Sequence, residues 1–198
     1  MPDFYYTIEK SATAEFKDRG SSFLAFAFPV DTINDFKLKL KELKGQHPKA
    51  NHHCFAYRLG TEGMEFRASD DGEPSGSAGK PILGQIDSKK LTNIAIVVVR
   101  YFGGTLLGVP GLINAYKTVS SLVLQLVPII QKPVLINYIL HFDYTLMNDV
   151  MIIIKRFGCV IIDNEAQLFC KMKIGIPNQS LDQCLGNLKN LHTLEISN

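Results

Sequence analysis

The stretch that most constrains this chain is Ile94–Val99, six successive apolar residues, followed by Arg100-Tyr101-Phe102-Gly103-Gly104 and then by Gly108-Val109-Pro110-Gly111. A short apolar run bounded by turn residues fits a strand covered on both faces better than a helix. The glycines that follow let the backbone approach a neighbouring element or a ligand closely. Leu112, Tyr116, Val119 and Val123 then recur at the spacing of one helical face. A doubly covered strand running through a tight turn into a long helix requires a layered fold of sheet and helix.

The surrounding pattern agrees. Phe4–Lys10 and Ser21–Val30 read as strands, the second rich in aromatics. Asp31 or Thr32 caps a helix carrying Ile33, Phe36, Leu40 and Leu43, with Lys37, Lys39, Lys41 and Lys44 on its outer side, and His47-Pro48 ends it. Asn51–Leu59 reads as a strand, with Glu65–Ala68 as its partner. Ser69–Gly79 is a polar loop, Pro81–Leu91 a short helix opened by proline, and Asn93–Phe102 the buried strand. The expected class is α+β, with an antiparallel-leaning sheet.

The character of the chain changes at Gln131-Lys132-Pro133, a junction that sets the expected domains at 1–132 and 133–198. Of 21 Lys and Arg and 19 Asp and Glu, 16 and 13 lie before residue 133, so the first segment is cationic and the second slightly acidic. In the second, Val134–Phe142, Leu146–Phe157, Val160–Asp163, Leu168–Ile176 and Ser180–Leu191 follow the order β-α-β-β-α. Thr193–Ile196 is a candidate closing strand. This is a split β-α-β, ferredoxin-like order, with Gly158 placed to end its first helix.

Composition narrows the function classes. No apolar run approaches the roughly 18 residues needed to span a bilayer. Met1-Pro2-Asp3-Phe4 has neither the basic start nor the apolar core of a secretory signal. The four cysteines, at 54, 159, 170 and 184, form no CxxC pair and read as reduced thiols of a cytoplasmic protein. A net charge of +2 does not by itself imply nucleic-acid binding.

Three stretches carry candidate chemistry. In Asn51-His52-His53-Cys54, strand geometry puts His52 and Cys54 on one face and His53 on the other, which splits the imidazoles and argues against a metal site. Ser69-Asp70-Asp71-Gly72-Glu73-Pro74 gathers three carboxylates that either cap local N–H groups in a turn or serve as acid or cation ligand. The segment Gly72–Pro81 fails as a phosphate loop, because Pro74 and Pro81 stand where that motif needs glycine and a hydroxyl residue. Its small residues, Lys80 and helix start leave a simpler anion-accepting role open. Around Arg100 two readings stand level. In one, Arg100 and the helix start face an anion; in the other, Arg100 pairs with Asp70 or Asp71 and the glycines serve close packing.

Taken together, His47-Pro48-Lys49-Ala50-Asn51-His52-His53-Cys54-Phe55-Ala56, Ser69–Pro81 and Val97–Gly104 with Leu107-Gly108 resemble the IMPACT/YigZ family over about residues 15 to 125. The resemblance implies a first domain like one ribosomal small-subunit protein and domain IV of elongation factor G. The tail is similar to the ferredoxin-like C-terminal module of elongation factor G. The resemblance implies that eukaryotic relatives are linked to translational control under amino-acid starvation; they carry an additional N-terminal protein-binding domain not expected in this sequence, so that partner does not transfer. The sequence departs from the family pattern at Pro110 and Asn114, where glycine and a basic residue are usual.

The leading expectation is a non-enzymatic cytoplasmic protein that contacts RNA, the ribosome or a translation factor, without a cofactor. Lys80, Arg100, Tyr101, Gly103, Gly104 and Gly108 would form its anion-facing surface. One alternative is a hydrolase with His52 or His53 as base and Asp70, Asp71 or Glu73 as acid or metal ligand. Another is a protein-interaction module that uses the ferredoxin-like sheet.

Overall fold

The run Ile94–Val99 is wholly excluded from solvent and lies in the central strand of a five-stranded sheet. The computed structural model describes residues 1–197, which divide into two units: Tyr5–Lys132, and 133–197 with Met1–Phe4.

The first unit contains β1 (Phe4–Ile8), β2 (Ala12–Asp18), β3 (Ser21–Pro29), α1 (Ile33–Gln46), β4 (His52–Leu59), β5 (Glu65–Ser69), α2 (Gly79–Ser88), β6 (Ile94–Tyr101), α3 (Gly108–Gln125) and β7 (Ile129–Pro133). Its main sheet runs β2-β3-β6-β4-β5, antiparallel throughout, and β1 pairs with β7. Alternation along each strand sorts the core into two layers. Phe23, Cys54, Ile96 and Val98 face α2 and α3, packing with Ile82, Tyr116 and Val119. Phe55, Tyr57, Val97 and Val99 face α1, packing on Phe36 and Leu43. Thr32 caps α1, accepting the Asp35 N–H while the Asp35 carboxylate receives the Thr32 N–H.

Sequence and structure differ at four places here, one of them strand β7, which occupies the stretch read only as a junction. The strand Ala12–Asp18, whose Ala12, Ala14 and Phe16 pack inward, escapes the sequence reading because only Phe16 among them is a large apolar residue. It turns back onto β3 through Arg19 and Gly20, both at positive φ. Helix α2 starts at Gly79, two residues ahead of Pro81. Helix α3 absorbs Gly108–Gly111, which reads as turn, because Pro110 falls in the first turn of the helix, where a missing N–H costs nothing.

The second unit contains β8 (Leu135–Asp143), α4 (Met147–Arg156), β9 (Val160–Glu165), β10 (Phe169–Pro177), α5 (Leu181–Lys189) and β11 (Glu195–Ser197). Its antiparallel sheet runs β11-β8-β10-β9, the spatial order of a split β-α-β fold. Val150 and Ile154 of α4 and Cys184 and Leu188 of α5 close over Leu140, Phe142, Met172 and Ile174. Gly158, at φ +64°, follows the helix cap Phe157, as its position in the sequence suggests. No helix among the described residues is long and apolar enough to cross a membrane.

Candidate functional site

Antiparallel register brings the three family-like stretches to one end of the first unit's sheet. His52 lies opposite Arg100 and His53 opposite Val99. Since neighbouring residues of a strand point to opposite faces, His52, Cys54 and Arg100 look toward α2 and α3, and His53 and Tyr101 toward α1. The loop between β5 and α2 folds over this end and delivers its carboxylates to three different tasks.

Asp70 accepts the backbone N–H groups of Gly76 (2.8 Å), Ala78 (3.0 Å) and Gly79 (2.8 Å). Burial pushes its carboxyl up, but the three N–H donors and nearby Lys80 outweigh that and hold it below the usual carboxylate range. The donors that could have received a phosphate at the start of α2 are therefore filled by the chain's own carboxylate, which corrects the anion-accepting reading of Gly72–Pro81. Lys80 itself is exposed. Asp71 accepts the backbone N–H of His53 at 2.6 Å and lies 3.7 Å from the Lys44 ammonium.

Glu73 goes inward. Its Oε1 receives Arg100 Nη1 at 2.6 Å and the Tyr116 hydroxyl at 2.8 Å, while Oε2 lies 3.9 Å from His52 Nε2. Arg100 is only 5% exposed, between the rings of Phe23 and Phe102 at 5.4 and 5.7 Å. Its Nη2 reaches Ser21 Oγ at 3.5 Å, and the same oxygen accepts the Gly103 N–H. The Cys54 thiol lies 3.2 Å from the Tyr116 hydroxyl and 3.0 Å from the Asp70 carbonyl. Burial pushes that thiol up to about 12 and raises Tyr116 well above the ordinary phenol value.

This geometry corrects the expected anion-facing surface. Arg100 is committed internally, and its partner is Glu73 rather than Asp70 or Asp71. Tyr101 lies on the other face, its hydroxyl 2.9 Å from His47 Nδ1. The glycines serve backbone geometry. A side chain on Gly103 would collide with the backbone of Gly20 and Ser21, and Gly104 and Gly108 hold positive φ.

The hydrolase arrangement is divided as well. His53 and Asp70 serve opposite faces, His53 lies 4.0 Å from an Asp71 carboxylate already engaged by the His53 N–H and Lys44, and Glu73 is held by Arg100 and Tyr116. The nearby thiol and phenol, Cys54 and Tyr116, are both buried and kept protonated. Among the described residues no group of three or more His, Cys, Asp or Glu is placed to hold a metal ion.

A cavity of about 440 Å³ opens beside the network. His52, Glu73 and Arg100 contribute to its wall, and Phe102, Leu106 and Val109 form an exposed apolar rim. Tyr116 reads in the sequence only as one member of an apolar helix face, and Ser21 as the start of a strand. The available signal is the phenol itself, since a buried Tyr hydroxyl needs a partner.

The network and its loop lie inside a stretch, residues 19–124, that matches the Impact N-terminal domain. The chain belongs to the IMPACT family. It is 32% identical to the IMPACT family member YigZ of Escherichia coli (strain K12) over 79% of this chain and 78% of that protein. It is also 32% identical to an IMPACT family member of Haemophilus influenzae (strain ATCC 51907 / DSM 11121 / KW20 / Rd), over 89% of this chain and 87% of the relative. A crystal structure of a hypothetical protein aligns with 99% of this chain and 97% of its own at 27% identity, with a TM-score of 0.78. In this IMPACT family member, the histidine pair, the carboxylate loop and the strand ending at Arg100 are thus one interlocked structure.

Proposed function

We propose that this IMPACT family member is a non-enzymatic cytoplasmic protein acting in translational control, and that it contacts RNA or the ribosome. Family membership supports the translational setting, in keeping with the kinship to ribosome-bound modules that the resemblance implies for both domains. With Arg100 committed to Glu73, phosphate contact falls to exposed lysines. The observation that carries the reading is the row Lys37, Lys41 and Lys44 along α1, exposed and spaced to share one side of the helix. Lys44 is steadied by Asp71, and Lys37 and Lys41 make no ion pair among the described residues. Point charges on long flexible stems suit a backbone of phosphates that is recognised without base readout.

The test is co-sedimentation of the full chain with ribosomes, together with gel shifts on structured RNA, across a salt series. Binding is expected at low salt. Removing the charges of Lys37 and Lys41 with glutamine is expected to flatten the log–log salt slope by roughly 1.4 to 1.8, the share of two phosphate contacts. No pelleting and no shift at low salt would refute the proposal.

A further inference from the structure

The second unit holds a chemical feature that the site above does not use. Cys159, the first residue after Gly158 at the end of α4, and Cys184 on α5 place their sulfurs 3.5 Å apart. Both thiols are free. We propose that Cys159 and Cys184 form a peroxide-reactive pair that closes reversibly into an intramolecular disulfide.

The two thiols are unequal in a way that assigns their roles. Cys159 is half-buried and reaches solvent, whereas Cys184 is wholly buried in the core with Leu188, Met172 and Ile174. The hydrogen bond between the sulfurs favours the thiolate of Cys159 and holds Cys184 protonated above the ordinary thiol value. Cys159 is therefore the attacking sulfur and Cys184 the resolving one. The sulfurs must approach by about 1.5 Å to reach a bond of about 2.05 Å. The remaining cysteines offer no competing pair: Cys54 is buried beneath the carboxylate loop of the other unit, and Cys170 is buried with its thiol toward the Gln167 carbonyl.

The chemistry balances with hydrogen peroxide as oxidant. The Cys159 thiolate attacks one peroxide oxygen, the O–O bond breaks, and the departing hydroxide takes up a proton to become water. Cys159 is left as the sulfenic acid. The Cys184 sulfur then attacks the Cys159 sulfur, the S–O bond breaks, and the hydroxyl leaves as water with the Cys184 proton. Two thiols have lost two electrons and two protons, and one peroxide has become two waters. A dithiol reductant reverses the bond by exchange. The cross-link ties the start of β9 to α5 around the chain that forms β9 and β10, so it restricts the unfolded state and stabilises this unit.

The experiment is intact-mass measurement and non-reducing peptide mapping of the full chain after graded hydrogen peroxide treatment. The expected product is a monomer lighter by about 2 Da, the loss of two hydrogens, carrying a single Cys159–Cys184 link and melting several degrees higher until dithiothreitol restores it. In Cys184→Ser, the Cys159 sulfenic acid should persist long enough for dimedone to trap it. A link to Cys54 or Cys170, a covalent dimer, or accumulation of sulfinic acid at Cys159 of the unsubstituted protein would overturn the proposal. The same holds if the thiols survive peroxide that oxidises free glutathione. Because the unsubstituted protein alone decides between these results, a poorly folding variant does not blunt the test.

Discussion

Glu73 and Arg100 meet at 2.6 Å with exposures of 9% and 5%, joining a loop to the central strand across 27 residues of sequence. A buried pair of this kind recovers its desolvation cost only if the remaining lone pairs and N–H groups are also used. Here Tyr116 and Ser21 supply part of that satisfaction. The bond locks the carboxylate loop over the sheet end, so its consequence is mechanical.

Breaking the pair on one side should therefore be costly. Glu73→Gln leaves the Arg100 charge buried without a counter-charge and is expected to lower stability by about 3–5 kcal/mol. The double change Glu73→Leu with Arg100→Met should recover most of that loss. Urea unfolding followed by circular dichroism measures both. Equal loss in the single and double variants would contradict the ion-pair account.

Two neighbouring glycines should behave differently. Gly103→Ala drives a side chain into the backbone of Gly20 and Ser21, and is expected to cost more than about 4 kcal/mol or to prevent folding. Gly104→Ala meets open space and strains only a positive φ, at about 1–2 kcal/mol. Thermal melting of the two variants provides the comparison.

Acid should weaken the first unit in two stages. Burial, the largest influence on His53, favours its neutral form and sets its folded value below the ordinary 6.5, outweighing the pull of nearby Asp71. Its contribution is complete above that pH and is lost as pH falls toward the folded value, because the unfolded chain takes up the proton first. Asp70 is also lowered, from an ordinary 3.8, as its backbone donors overcome burial. Its contribution is present above that value and is lost as pH falls through the folded one. Unfolding free energy measured from pH 8 to 3 should fall first near the histidine range. His53→Gln should remove that upper stage and leave the lower one.

Cys54 should be silent in the folded protein. Burial pushes its thiol up to about 12, so it carries almost no thiolate at pH 8. Iodoacetamide labelling followed by peptide mapping should modify Cys54 only after denaturation. Tyr116→Phe should leave this unchanged, because burial is the larger cause, while costing about 1–2 kcal/mol for the hydrogen bond lost to Glu73.

Much of the architecture is legible in local patterns. The run Ile94–Val99, the helical row Leu112, Tyr116, Val119 and Val123, and the β-α-β-β-α order after Pro133 each have a period that depends only on neighbouring residues. The division of His52 from His53 follows from strand alternation alone. Strand Ala12–Asp18 is harder to read, because its inward face is two alanines and a single large apolar residue, Phe16. The site is harder still. Asp70, Asp71 and Glu73 look equivalent in sequence, yet one caps a helix, one holds a strand N–H and one neutralises a buried arginine.

The sequence by itself determined most of the elements, their order and the faces their residues occupy, because those follow from local periodicity and turn chemistry. The family followed too, from motifs spaced along the chain. Only the tertiary structure decided which charge meets which, because the partner of Arg100 depends on strand register and on how a loop closes from 27 residues away. That pairing turns a promising cation into a buried structural bond.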